Sequence, residues 1–126
     1  DVFFLGWIPF EDVPFVYCAS ELFAFPSLYE GFGMPVLEAM GCGIPVVCSR
    51  IEPLQEVGGD AAMFVDPYDS SSVAEGILDV LNDARLRGEL IGKGFKRAKE
   101  FTWRDTALKT LSYIKSYHHP AQNIRP

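Results

Sequence analysis

Glu30 and Glu38 stand on either side of Gly31-Phe32-Gly33-Met34-Pro35 in the stretch FPSLYEGFGMPVLEAMGCGIPVV, residues 25–47. A carboxylate accepts from two adjacent hydroxyls at once, and such charge-assisted bonds are about twice as strong as neutral ones. Gly31 and Gly33 tolerate φ > 0 and let a ligand approach the backbone, while Pro35 suits the first position of a helix. A helix starting there leaves the amides of Gly33, Met34, Val36 and Leu37 unpaired within it, and free amides at a helix N-terminus bind anions, phosphate above all. Two acids beside a phosphate would repel it unless they are aimed elsewhere, and vicinal hydroxyls are their natural target. The arrangement suits a ligand made of sugar, diphosphate and ribose.

Each acid also has a plain structural reading. Ser27 and Glu30 have capping-box spacing, but Gly31 and Gly33 would break a helix begun at Ser27. Glu38 could be a first-turn acid that answers the helix dipole. Each reading explains one Glu and neither explains the pair.

The turn needs elements to hold it. Val2–Leu5, Leu22–Pro26, Pro45–Cys48 and Ala62–Val65 are nearly continuous apolar runs, as expected of strands covered on both faces. Pro9–Ser20, Pro35–Cys42 and Pro53–Val57 each open with proline and lie between them as short helices. Strands alternating with helices imply a parallel sheet with right-handed crossovers. The fold class is therefore α/β: a Rossmann-like parallel sheet with helices on both faces, followed by C-terminal helices. Glu30 and its turn then fall at the carboxyl end of a parallel strand, where open α/β sheets bind ligands.

After Asp66-Pro67 the pattern is helical throughout. Ser70-Ser71-Ser72 can cap a helix with Val73, Ile77, Leu78 and Leu81 on one face; Leu86, Leu90, Ala98 and Phe101 mark a second, weakened by Gly92 and Gly94. Thr102 and Asp105 have capping-box spacing ahead of a third, with Trp103, Ala107, Leu111 and Ile114 as its apolar stripe. Residues 1–120 read as one domain and Ala121–Pro126 as a loose tail.

Of the 126 residues, 48% are hydrophobic, enough for a packed core, and no apolar run approaches the roughly 20 residues of a membrane span. Cys18, Cys42 and Cys48 are odd in number and lie in apolar segments, which reads as reduced core thiols of a cytoplasmic chain. Residues 1–49 carry six acids and no Lys or Arg, which argues against a nucleic-acid partner, whereas residues 85–126 carry ten basic groups against three acids. The basic stretch Arg85–Lys115 reads as a solvated face, with contact to an anionic membrane surface as its second reading. His118 and His119 read as helix-end cations and Trp7 as a core aromatic. The start, Asp1-Val2-Phe3-Phe4-Leu5, reads as a chain continued upstream.

LFAFPSLYEGFGMPVLEAMGCGIPVV resembles the signature of retaining glycosyltransferases of family 4 with the GT-B fold, in which Glu30 and Glu38 occupy the E-x7-E motif. FFLGWIPFEDVPFVYCAS, EVGGDAAMFVDPYDSSSVAEGI and FTWRDTA are similar to the segments before and after it. The resemblance implies a donor-binding domain for a nucleotide-diphosphate-sugar, with Glu30 at the catalytic position on the sugar hydroxyls and Glu38 on the ribose. It implies that Gly31 and the backbone of Phe32, Gly33 and Met34 meet the sugar and the distal phosphate, that Ile8 lies by the base, and that no metal is needed. It further implies a missing N-terminal domain upstream, an unknown acceptor, and an upstream Arg and Lys for the diphosphate. Two rivals stand beside it. A dinucleotide-binding module would use Gly31, Gly33 and Glu52, but Val36 holds the place of its third glycine. A non-catalytic nucleotide or sugar sensor on the same fold is the other.

Overall fold

The computed structural model describes residues 1–117. Three strands, β1 (Phe23–Phe25), β2 (Val46–Ser49) and β3 (Ala62–Val65), pair in parallel in the order β1-β2-β3. The register sets Phe23 opposite Val46, and Val46 opposite Ala62. Between them run α2 (Met34–Gly41) and α3 (Glu52–Gly58); α1 (Val13–Cys18) precedes the sheet, and α4 (Ser70–Asn82), α5 (Ala84–Lys99) and α6 (Trp103–Tyr117) follow it. This is the Rossmann-like α/β layer structure that the alternating pattern predicts.

β2 is buried along its whole length, so its alternating side chains feed two cores. Val46 and Cys48 pack with Val36, Met40, Leu54 and Val57 of α2 and α3 on one face. Val47 packs with Val65, Val80 and Leu90 on the other. α5 serves both cores. Leu90 joins the second core, while Ala98 reaches the first and Gly94 lies against Met40, where an added Cβ would stand 3.2 Å from the Met40 Cγ. Gly94 thus lets α5 approach α2, and neither it nor Gly92 interrupts the helix. Arg97 fastens α5 to α3: its Nε donates to the Val57 carbonyl at 3.0 Å, a second guanidinium nitrogen donates to the Glu56 carbonyl, and its charge pairs with Glu100 and lies over the Phe101 ring. The last carbonyls of α3, left without helical partners, are satisfied in this way.

Several expectations are corrected. Val2–Leu5 is no strand: it is unpaired and exposed, with Phe4 96% accessible, because no strand among the described residues lies alongside it. Trp7 is 85% exposed and is not a core aromatic. Of the three free thiols Cys48 is buried, Cys42 half-buried and Cys18 exposed. Asp69, not the serine run, caps α4, its carboxylate accepting from the Ser71 amide at 2.9 Å, and Leu78 is exposed. Thr102 caps α6 as predicted, its Oγ1 accepting from the Asp105 amide at 3.0 Å. The stripe of α6 nevertheless stays exposed. The expectations for His118, His119 and the tail lie outside the described residues.

Candidate functional site

β1 ends at Phe25, and the chain then crosses the carboxyl edge of the sheet before α2 begins. No helix starts at Ser27; its hydroxyl donates instead to the Tyr29 carbonyl at 3.0 Å, which removes the capping reading of Glu30. Glu30 is half-buried. Gly33 sits at φ 96°, ψ 44° as the N-cap of α2, a left-handed conformation that glycine adopts without steric cost. Its missing Cβ has a second use, since that atom would lie 2.4 Å from a methyl of Leu54 in α3. The space beside Gly33 is therefore taken by the core, and only Gly31 leaves room for a ligand: it has no positive φ, and a Cβ there would meet nothing within 4 Å.

Met34 is the first residue of α2 and Pro35 the second, one place later than predicted. The Val36 amide donates to the Gly33 carbonyl at 3.0 Å and is not free as expected. No hydrogen bond within the described residues occupies the amides of Gly33 and Met34, and they remain as donors at the positive end of the helix.

Glu38 is exposed, one turn further along, between buried Leu37 and Ala39. It lines two grooves. The larger, about 590 Å³, lies between α2 and the start of α6 and is walled by Phe32, Met34, Phe101, Thr102 and Trp103. The smaller, about 170 Å³, lies between α1 and α2 and is walled by Phe10, Val13, Pro14, Tyr17 and Cys42. In that groove the Tyr17 hydroxyl donates to Glu38 Oε2 at 3.3 Å. Burial, reinforced by the Glu38 charge, pushes the Tyr17 hydroxyl up to about 12, so it remains a donor at neutral pH. Ile8 is half-buried but in irregular chain, without the strand expected to present it. Arg50, the first cation in the sequence, lies just past β2 and donates to the Phe64 carbonyl at 3.0 Å.

The structure thus brings Gly31 to Glu38 to one edge of the sheet, at the start of α2. Sequence reasoning missed Tyr17 and the Phe101–Trp103 wall. Tyr17 lies 21 positions before Glu38, on a separate helix, and its only signal was an amphipathic side chain in an apolar helix.

The sequence profile of the family described as Glycosyl transferases group 1 matches residues 1–97, most of the chain. This chain belongs to the group 1 glycosyltransferases. Among relatives of the glycosyltransferase chain, O-antigen chain mannosyltransferase B of Escherichia coli is 44% identical over 112 residues, covering 89% of this chain and 29% of that protein. Mannosylfructose-phosphate synthase of Agrobacterium fabrum is 34% identical over 117 residues, covering 90% of this chain and 26% of that protein. Among solved structures, sucrose-phosphate synthase from Thermosynechococcus elongatus superposes with a TM-score of 0.81 at 30% identity, over 91% of this chain and 30% of that one. The glycosyltransferase chain therefore spans less than a third of the length of each of these proteins. Among the described residues no helix is long and apolar enough to cross a membrane.

Proposed function

We propose that this chain forms the donor-binding part of a longer, retaining glycosyltransferase that moves a sugar from a nucleotide-diphosphate-sugar to an acceptor hydroxyl. The observation that carries this is the left-handed Gly33 cap, which opens α2 at the carboxyl edge of a parallel sheet with uncommitted Gly33 and Met34 amides between two glutamates. Mannosyltransferase relatives favour a mannosyl donor.

In such a transfer the anomeric carbon becomes oxocarbenium-like while negative charge builds on the departing phosphate. Fixed amides and a helix dipole aimed at that phosphate stabilise the charge without reorganising. Glu30 orients the sugar through its hydroxyls, Glu38 holds the ribose diol, and Ile8 lies towards the base. The reaction as proposed asks no metal of these residues. The site belongs on the cytoplasmic side, where the nucleotide-sugar is its partner. The upstream domain supplies the acceptor site and the cations that the first 49 residues lack.

Titrating the isolated chain with nucleoside diphosphate tests this reading. Amide shifts are expected at Ile8, Glu30–Glu38 and the loop after Cys48, with dissociation constants no tighter than the order of 0.1–1 mM, about 4–5.5 kcal/mol. Shifts confined to α5 and α6 would move the site elsewhere, and sugar transfer by this chain alone would overturn its assignment as a partial site.

A further inference from the structure

Glu38 lies on the ridge between the two grooves, exposed on α2, and the Tyr17 hydroxyl is its one hydrogen-bond partner among the described residues. A glutamate on an open helix surface samples several rotamers, and a diol binder that must be ordered anew for each ligand loses affinity to that ordering. Tyr17 is itself well held. Its ring packs edge-on against Phe23 of β1, centroids 5.3 Å apart at 85°, and Phe23 in turn stacks on Phe25. The chain of contacts runs from the sheet through two aromatic rings to a single carboxylate oxygen.

We infer that Tyr17 is a positioning residue for Glu38, fixing Oε2 from the α1 side so that Oε1 and the outer lone pairs face a vicinal diol. This rests on the reading of Glu38 as a diol binder and adds to it a residue from another helix. The geometry suits the role. A carboxylate has about four acceptor directions, so one bond to Tyr17 leaves enough for both hydroxyls of a ribose. The 3.3 Å separation is long for a hydroxyl–carboxylate pair, as such bonds often are before the ligand is bound.

The test is a double-mutant cycle in the full-length enzyme: wild type, Tyr17→Phe, Glu38→Gln and the double variant, each titrated calorimetrically with GDP and with UDP. Phe keeps the ring against Phe23 and removes only the hydroxyl, and an unchanged circular dichroism spectrum and melting temperature verify the fold. Tyr17→Phe is expected to weaken the better-bound diphosphate roughly three- to tenfold, to raise the donor KM with little change in kcat, and to have no further effect in the Glu38→Gln background. An equal loss in both backgrounds would make Tyr17 a packing residue, and no loss in either would remove it from the site; each overturns the inference while leaving Glu38 as the diol binder. A silent Glu38→Gln would instead sink the ribose reading, and with it this one.

Discussion

A methyl group of Leu54 fills the space beside the left-handed backbone of Gly33: a Cβ on Gly33 would lie 2.4 Å from Leu54 Cδ2, at φ 96°. Leu54 is wholly buried and would have to shift its side chain within the core. Gly33→Ala is therefore expected to destabilise by about 2–4 kcal/mol, from backbone strain plus overpacking. Gly31→Ala, in open space and without positive φ, should change stability by less than about 0.5 kcal/mol yet weaken nucleotide-diphosphate binding, because its methyl enters the volume proposed for the ligand. Urea unfolding and calorimetry separate the two effects; equal destabilisation by both substitutions would contradict the geometry.

The two glutamates should part company. Glu38→Gln in the full-length enzyme is expected to weaken free nucleotide diphosphate by roughly tenfold or more, the scale of a bond to a charged group. Glu30→Gln should leave that affinity nearly unchanged while turnover of the nucleotide-sugar falls, since the contact proposed for it is with the sugar alone. Matching losses of nucleotide affinity in the two variants would end the division of labour.

Arg97 joins α5 to the end of α3 through two carbonyls and stacks on Phe101. Arg97→Ala should cost about 1.5–3 kcal/mol by leaving those carbonyls without their charged donor. Arg97→Lys should recover only part of it, because an ammonium cannot reproduce the planar fork. Full rescue by lysine in denaturant melts would show that charge alone was at work.

Ser49 closes β2 fully buried, and its hydroxyl has no partner among the described residues. Such a group carries a desolvation cost without a bond to offset it. Ser49→Ala is expected to be neutral or to stabilise by up to about 1 kcal/mol, and a clear loss of stability on urea unfolding would reveal a partner for the hydroxyl.

Two carboxylates should shape the acid limb of the stability profile. Asp83 is held below its ordinary 3.8 by the Leu86 and Arg85 amides that it caps, and Asp60 by the Lys93 ammonium 3.0 Å away. Because the folded values are depressed, the stability they contribute is complete above 3.8 and is lost as pH falls through the lower folded values. Asp83→Asn keeps a cap without the charge and should flatten that acid limb. An unaltered slope of unfolding free energy against pH below 3.8 would exclude Asp83 as a contributor.

Much of this was legible in the residues because local patterns and tertiary burial agree. Ala62–Val65 reads as a buried run and is β3 residue for residue; Pro35 and the glycines announce α2 within one position. What escaped the sequence depended on contacts between distant segments. Val2–Leu5 has a strand's composition, but a strand exists only where a neighbour accepts its hydrogen bonds. Gly94 reads as a helix weakener until Met40 is seen beside it. At the site, Gly33 declares its backbone angle but not Leu54, and Glu38 gives no sign of Tyr17.

The unpaired Val2–Leu5 run and the outer side of β1 carry a cost for handling. Both are made of uncharged residues, and among the described residues Val2–Leu5 pairs with no strand and β1 with β2 alone. Folded sheets normally blunt such edges with charge, proline or a covering element, and here only Glu21 and Pro26 flank β1. Two copies of the chain can satisfy each other at these edges. Precipitation of the isolated chain should therefore be concentration-dependent and ordered, gaining cross-β signal as it proceeds, and a lysine in place of Phe4 should slow it without touching the fold.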